Sequence, residues 1–151
     1  MIKNKVAILY RETTSAVRAA SELEATHKMK CRAYQADVRV VSQITSAINQ
    51  ILADFGKLDV IVANAGITSE HAAEDYTPEE FQDIIDTNFN GTFYTAQAAA
   101  RIFKKQGFGN IIFTASVSAT LVNIPQRQAA VRIPFLDPLT LDARMTTTVI
   151  G

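Results

Sequence analysis

Hydrophobic positions in this chain fall into two alternating patterns: short continuous apolar runs, and longer stretches where apolar residues return every three or four positions. Lys30 to Asp37 also reads as a strand, and Lys5 to Tyr10, Leu58 to Ala63 and Asn110 to Phe113 are runs of the first kind. Their length and β-branched content predict buried strands of a parallel sheet. Leu58 to Ala63 reads LDVIVA and predicts burial on both faces. Between the runs, Val17, Ala20, Leu23 and His27 recur at helical spacing behind a cap at Thr13 or Thr14. Val41, Ile44, Ile48, Ile51, Leu52 and Phe55 form a helical stripe with Gly56 at its C-cap. Asn64-Ala65-Gly66 reads as a turn and Ile67 to Tyr76 as a polar loop. Thr77-Pro78-Glu79-Glu80 is a helix start with a capping box and Pro at N1. The helical pattern then runs to about Lys105, with an interruption expected near Asn88 to Gly91, and Phe89, Phe93, Ala96, Ala100 and Phe103 on one face.

Strands alternating with helices of this length imply an α/β fold, an incomplete doubly wound parallel sheet of about four strands. From Val131 onward the pattern fails. VRIPFLDPLTLDARMTTTVIG has neither periodicity over a useful length. The expected division is a partial dinucleotide-binding-type domain over residues 1–130 and an unpatterned tail over 131–151.

Composition narrows the class. The 151 residues suit one domain, and 48% hydrophobic with 20% charged content reads as globular and soluble. Fifteen basic residues balance fifteen acidic ones without a basic stripe, which argues against nucleic acid and anionic membranes as partners. One cysteine, Cys31, leaves no internal disulfide and fits a reducing, cytoplasmic setting. The first apolar run is too short for a signal peptide, and no run of 18 apolar residues suggests a membrane span. His27, His71 and Cys31 lack metal-ligand spacing, so no metal is expected.

The chemistry gathers at strand ends, where open α/β sheets bind ligands. After Asn110 to Phe113 comes a Ser-rich turn, Thr114-Ala115-Ser116-Val117-Ser118. Four stretches in order resemble the short-chain dehydrogenase/reductase family: Asp37-Val38, Asn64-Ala65-Gly66, Asn88 within DTNFNG, and Ser118 within TASVSA. IFKKQGFGN and IIFTASVSATLVNIPQRQAA look most like fungal carbonyl, sorbose or xylulose reductases. The resemblance covers about residues 5 to 130. It implies NADP- or NAD-dependent hydride transfer to or from a carbonyl or polyol carbon, with a small carbonyl compound or sugar as substrate. Ser118 would polarise the carbonyl, Asn88 would keep a water in a proton relay, and Asp37 with Val38 would lie by the adenine. Asn64, Ala65 and Gly66 would line the nucleotide. Arg11, past the first strand, has two readings: a 2′-phosphate contact favouring NADP, or a solvated arginine. Asp37 also reads as a strand-end cap, and Ser118 as a turn former.

Two parts of the family pattern are absent. Its tyrosine and lysine positions, counted from Ser118, fall on Val131 and Phe135, which carry neither proton nor charge. Pro134 would break the helix that holds them. The family's glycine-rich cofactor turn also has no counterpart, because the first glycine is Gly56. The missing strand-turn-helix unit belongs in the middle of the sheet, between the first and third strands. Three readings follow: a reductase relative that is inactive as written, a non-enzymatic subunit that joins full-length relatives or a second copy through the Asn88 helix, and a frame change near Val131 in the gene of an active reductase.

Overall fold

The structure, a computed structural model, describes residues 5–12, 15–68, 73–115 and the strand 145–150. Thr13, Thr14, His71, Ser116, Ser118, Val131, Pro134 and Phe135 lie outside the described residues.

The chain is α/β with parallel strands, as its pattern predicts. In order it forms β1 (Lys5–Tyr10), α1 (Ser15–His27), β2 (Lys30–Gln35), α2 (Val41–Phe55) and β3 (Val60–Ala63). A 3-10 turn (Ala73–Asp75) leads to α3 (Pro78–Ile84), a π-helical segment (Ile85–Asn90), α4 (Gly91–Gln106), β4 (Gly109–Thr114) and β5 (Met145–Ile150). The strands make two sheets rather than one: β1 pairs with β2, and β3, β4 and β5 form a second sheet in that order. All three pairings are parallel, from Lys5↔Lys30, Val60↔Asn110 and Gly109↔Met145 onward.

β5 lies within the tail and pairs with β4. Three threonines, a valine and an isoleucine follow Met145. Such β-branched residues favour extended chain even where apolar and polar positions do not alternate. The free edge of β4 supplies the partner.

Helix α2 joins the two sheets. Ile44 and Ile48 enter a core with Ile61, Ala63, Ala96, Ala99, Phe103, Ile111 and Phe113. Ala47, Ile51 and Phe55 enter a second core with Tyr34 and Ala36, flanked by Ala7 and Leu9. Full burial of an Ile or Phe side chain contributes about 1.5–3 kcal/mol, so this one stripe carries much of the attachment. The C-terminal end of α2 is held by cations: Lys30 Nζ donates to Asp54 O at 2.7 Å and Lys5 Nζ to Phe55 O at 3.0 Å. Positive charge there satisfies free carbonyls and opposes the helix dipole. Gly56 ends the helix at φ 86°, with its N–H on Leu52 O at 2.8 Å. Beside it Tyr34 donates its hydroxyl to Asp54 at 2.7 Å, and burial followed by that bond pushes the phenol up to about 12.

β3 departs from the expectation of two buried faces. Ile61 and Ala63 are buried, whereas Val60 is 47% and Val62 51% exposed. Side chains alternate across a strand. Helices α2 and α4 cover one face of β3, and no described element covers the other.

The long helical run is a correction in phase. Its buried face is Gly91, Thr95, Ala96, Ala99 and Phe103, so Phe89, Phe93 and Ala100 are not its centre. Small residues at 91, 95, 96 and 99 let the helix approach α2 and β4 closely. Bulky Phe93 stays 43% exposed, edge-on to Tyr94 with ring centroids 6.1 Å apart. Gly109 lies against this helix, where an added Cβ would sit 2.0 Å from Cγ of Phe103, a side chain with no exposure.

Candidate functional site

A parallel sheet collects its strand-to-helix turns at one end, and the candidate residues lie on those turns. The turn after β1 holds Arg11 and Glu12, that after β2 holds Asp37 and Val38, and that after β3 holds Asn64, Ala65 and Gly66. A cleft of about 830 Å³ reaches this end between the sheets, lined there by Val38, Asn64, Ala65, Gly91 and Thr92.

Asn88 is drawn to the Asn64 turn by its position in the π-helical segment. Its Oδ1 accepts from Ile67 N at 2.8 Å, and its Nδ2 donates to Ile67 O at 2.8 Å. Gly66 lies under the same amide, since a Cβ there would meet Asn88 Oδ1 at 3.5 Å. Asn88 O accepts the Thr92 hydroxyl at 2.7 Å. A π-turn inserts one residue into a helix and is often found at functional sites. Here it produces the interruption expected near Asn88 while keeping the chain helical.

A matching clip closes the other end of β3. Gln106 Nε2 donates to Leu58 O at 2.7 Å, and Gln106 Oε1 accepts from Leu58 N at 3.1 Å. From residue 88 to 106 a helix rises about 27 Å, and extended chain from 58 to 67 spans about 30 Å. Two amides on one helical run therefore hold both ends of β3. The Gln106 clip had no sequence signal, because glutamine near a helix end is ordinary.

Asp37 and Val38 each have a protein partner. The Asp37 carboxylate accepts from Arg39 N, from Nε at 3.0 Å and from Nη2 at 2.6 Å. These bonds hold its pKa below the usual carboxylate range, the Arg39 side chain being the main cause. Arg39 also reaches Asp83 of α3, and its own pKa is raised, chiefly by its hydrogen bond to Asp37. Arg39 was missed in the sequence, where no motif or spacing marks it. Val38 packs on Gly91 so closely that a Cβ there would lie 2.6 Å from Val38 Cγ2. This contact requires glycine at the start of α4.

Arg11 pairs with Glu12 at 2.9 Å on the surface and is not brought into the cleft. The β1-to-α1 turn has no glycine, and it carries the exposed Glu12 carboxylate. Pyrophosphate needs closely approached backbone N–H groups at a helix N-terminus. Without a glycine, this turn's sequence does not favour so close an approach, and the carboxylate of Glu12 beside it would repel phosphate. The residues present therefore do not fit the diphosphate of a dinucleotide, and Asp37 is already held by Arg39. Among the described residues no group of three His, Cys, Asp or Glu side chains could hold a metal ion, and no helix is long and apolar enough to cross a membrane.

Comparison with known proteins agrees with the motif reading. The short chain dehydrogenase family model matches residues 2–129. A probable NADP-dependent mannitol dehydrogenase of Yarrowia lipolytica is 42% identical over 126 residues, covering 82% of this chain and 45% of that protein. Sorbose reductase of Schizosaccharomyces pombe is 39% identical over 129 residues, covering 84% and 51%. Among solved structures, an NADPH-dependent 3-quinuclidinone reductase from Rhodotorula rubra superposes with a TM-score of 0.73 at 37% identity, covering 81% of this chain and 46% of that one. A short-chain dehydrogenase/reductase from Mycobacterium marinum gives 0.76 at 41% identity, covering 81% and 49%. The chain spans about half the length of the curated relatives it matches. Its strand order, its motifs and these matches agree: the chain belongs to the short-chain dehydrogenase/reductase family.

Proposed function

We propose that this chain carries the scaffold of an NADP(H)- or NAD(H)-dependent reductase of sugars, polyols or small ketones, and that by itself it neither holds the dinucleotide nor turns over substrate. The substrate class rests on the relatives, whose names include mannitol dehydrogenase, sorbose reductase and L-xylulose reductase. The observation that carries the silence is chemical. Hydride transfer to a carbonyl needs a proton donor, and a tyrosine acts near neutral pH only beside a cation. In the family pattern those two positions fall on Val131 and Phe135. The glycine-free turn at Arg11-Glu12 supports the same reading from the cofactor side.

Ser118 remains the proposed carbonyl-orienting residue and Asn88 the proposed relay residue. The described Asn88 amide is engaged with Ile67, which makes holding the Asn64 turn its first duty. Residues 1–130 are proposed as the partial dinucleotide-binding-type domain and 131–151 as an unpatterned tail that returns to it only through β5, in a cytoplasmic protein. The test is NADPH oxidation by the purified chain with fructose, sorbose, xylulose and small ketones. Rates at the protein-free blank are expected, and saturable turnover with any of them sinks the proposal.

A second reading has its own observation. Phe81 and Phe93, both more than 40% exposed, lie along the α3–α4 run. Exposed aromatics on one helical run suit association with a second copy or a full-length relative. Light scattering on Phe93→Ser should show a smaller assembly than the parent chain, and identical masses would remove this reading.

A further inference from the structure

The strand-to-helix turns hold the candidate site, and the helix-to-strand turns gather at the opposite end of the strands. All six lysines among the described residues lie at that opposite end. Lys5 and Lys30 open β1 and β2, and Lys28 sits in the turn between α1 and β2. Lys57 follows α2, and Lys104 and Lys105 stand in the last turn of α4. Their contacts tie them to one surface. Lys5 Nζ and Lys30 Nζ both lie over the Phe55 ring, 6.0 and 4.8 Å from its centroid. Lys57 Nζ lies 5.9 Å from the Phe108 centroid, and Gln106 joins the end of α4 to the neighbouring Leu58. Phe108 is 44% exposed.

The charge at this end is not cancelled. Lys5 and Lys30 donate to neutral carbonyls, Phe55 O and Asp54 O, which hold the ammonium groups without neutralising them. The carboxylates there are Asp54, paired with Arg32, and Asp59, paired with Lys57, each at 2.7 Å; Glu24 lies one turn back on α1. With Arg32, seven cations meet three carboxylates. The other end is the reverse, with Glu12, Asp37, Asp83, Asp86 and the Glu79-Glu80 helix start against Arg11 and Arg39. The even charge balance of the sequence thus becomes a basic pole and an acidic pole in the fold. The segments outside the described residues do not redress this, because they hold four basic residues and only three acids, Glu70, Asp137 and Asp142.

The kind of cation selects the partner. Lysine is a hydrated point charge on a flexible stem, without the planar fork that reads one carboxylate or phosphate. Several of them suit many anions spread over a surface. An exposed phenylalanine beside them suits a lipid boundary, where apolar rings and basic groups act together. A nucleic-acid duplex would engage the lysines but leave Phe108 without an apolar neighbour.

We propose that the pole formed by the starts of β1, β2 and β3 and the ends of α2 and α4 docks this chain on an anionic phospholipid surface. Phe108 lies at the headgroup boundary, and the acidic pole faces away. This holds whether or not the chain binds a dinucleotide.

The probe is a vesicle of phosphatidylcholine with about 30% phosphatidylserine, whose surface potential is negative. Co-sedimentation with the whole chain should show saturable binding, and vesicles of phosphatidylcholine alone should give none. Salt at about 0.5 M should abolish the binding by screening. Lys104→Gln with Lys105→Gln should weaken it about 25-fold, each lysine near such a surface being worth about fivefold. Both side chains are exposed, so circular dichroism of the double variant should match the parent. Phe108→Ser should also weaken binding, whereas Arg18→Gln, in the first turn of α1, should not. If the double variant loses its fold, the salt and neutral-lipid measurements decide alone. No binding to anionic vesicles, equal binding to neutral ones, or undiminished binding by a folded double variant overturns the proposal. So does tighter binding to a DNA duplex than to the vesicles, or salt-sensitive self-association that the double variant loses, since the pole would then face nucleic acid or the acidic pole of a second copy.

Discussion

Replacing Asn88 by alanine should open the turn after β3 and leave the start of the strand closed. The change removes two hydrogen bonds of 2.8 Å to one peptide group, the N–H and C=O of Ile67. A typical intramolecular hydrogen bond contributes about 0.5–1.5 kcal/mol net, so the pair is worth about 1–3 kcal/mol. Local opening of Ile67 should therefore be roughly 5- to 150-fold more frequent. Hydrogen exchange followed by peptide mass spectrometry reads this directly and requires no global unfolding transition. Gln106→Ala is the matched control, since it should expose Leu58 and spare Ile67. Asn88→Asp should be worse than the hydrogen-bond count suggests, because it sets a carboxylate oxygen against Ile67 O. If Asn88→Ala leaves Ile67 exchange unchanged, or either variant opens both ends equally, β3 is not held by two separate clips.

Gly109→Ala should destabilise the β4 side of the core, because its Cβ would strike the fully buried Phe103 ring. Displacing that ring costs about 1–3 kcal/mol, read as a lower urea midpoint; an unchanged midpoint would show that the ring yields freely. Asp37 titrates below the usual carboxylate range because of Arg39. The stability it contributes is thus present above the unfolded pKa of about 3.9 and is lost as pH falls through its lower folded value. Acid titration by circular dichroism should show this loss in the parent chain and a flatter profile in Arg39→Leu; superposable profiles would refute the pairing. Restoring Val131→Tyr and Phe135→Lys together should not yield NADPH oxidation, since Pro134 remains between them and the Arg11-Glu12 turn is unchanged. Turnover by that double variant would show that the missing proton donor was the whole defect.

Much of the fold was legible because it follows from local chemistry. The capping box at Thr77 forms as written, with Glu80 N on Thr77 Oγ1 at 3.1 Å and Glu80 reaching back to Thr77 N at 2.9 Å. The αL cap at Gly56 likewise needs no tertiary information. What failed depends on neighbours distant in sequence. Exposure of Val60 and Val62 is set by what covers β3, and no run of six residues states that. The burial face of α4 was chosen by its large residues, whereas the packing selected its small ones, since Gly91 admits Val38 and Ala99 is wholly buried. Met145–Ile150 became a strand because β4 offered an edge. The site was legible as motifs but not as partners: Arg39 on Asp37 and Gln106 on Leu58 have no spacing rule behind them. Ser118 lies outside the described residues, so its role stays a proposal.

The central claim is that a short-chain reductase scaffold persists here without a seat for its dinucleotide. Calorimetric titration of the whole chain with NADPH, and separately with NADH, tests it without relying on catalysis. Only heats of dilution are expected up to high micromolar ligand, with no change when Asp37→Ala is used in place of the parent. A saturable isotherm with a micromolar dissociation constant, weakened by Asp37→Ala, would contradict the account.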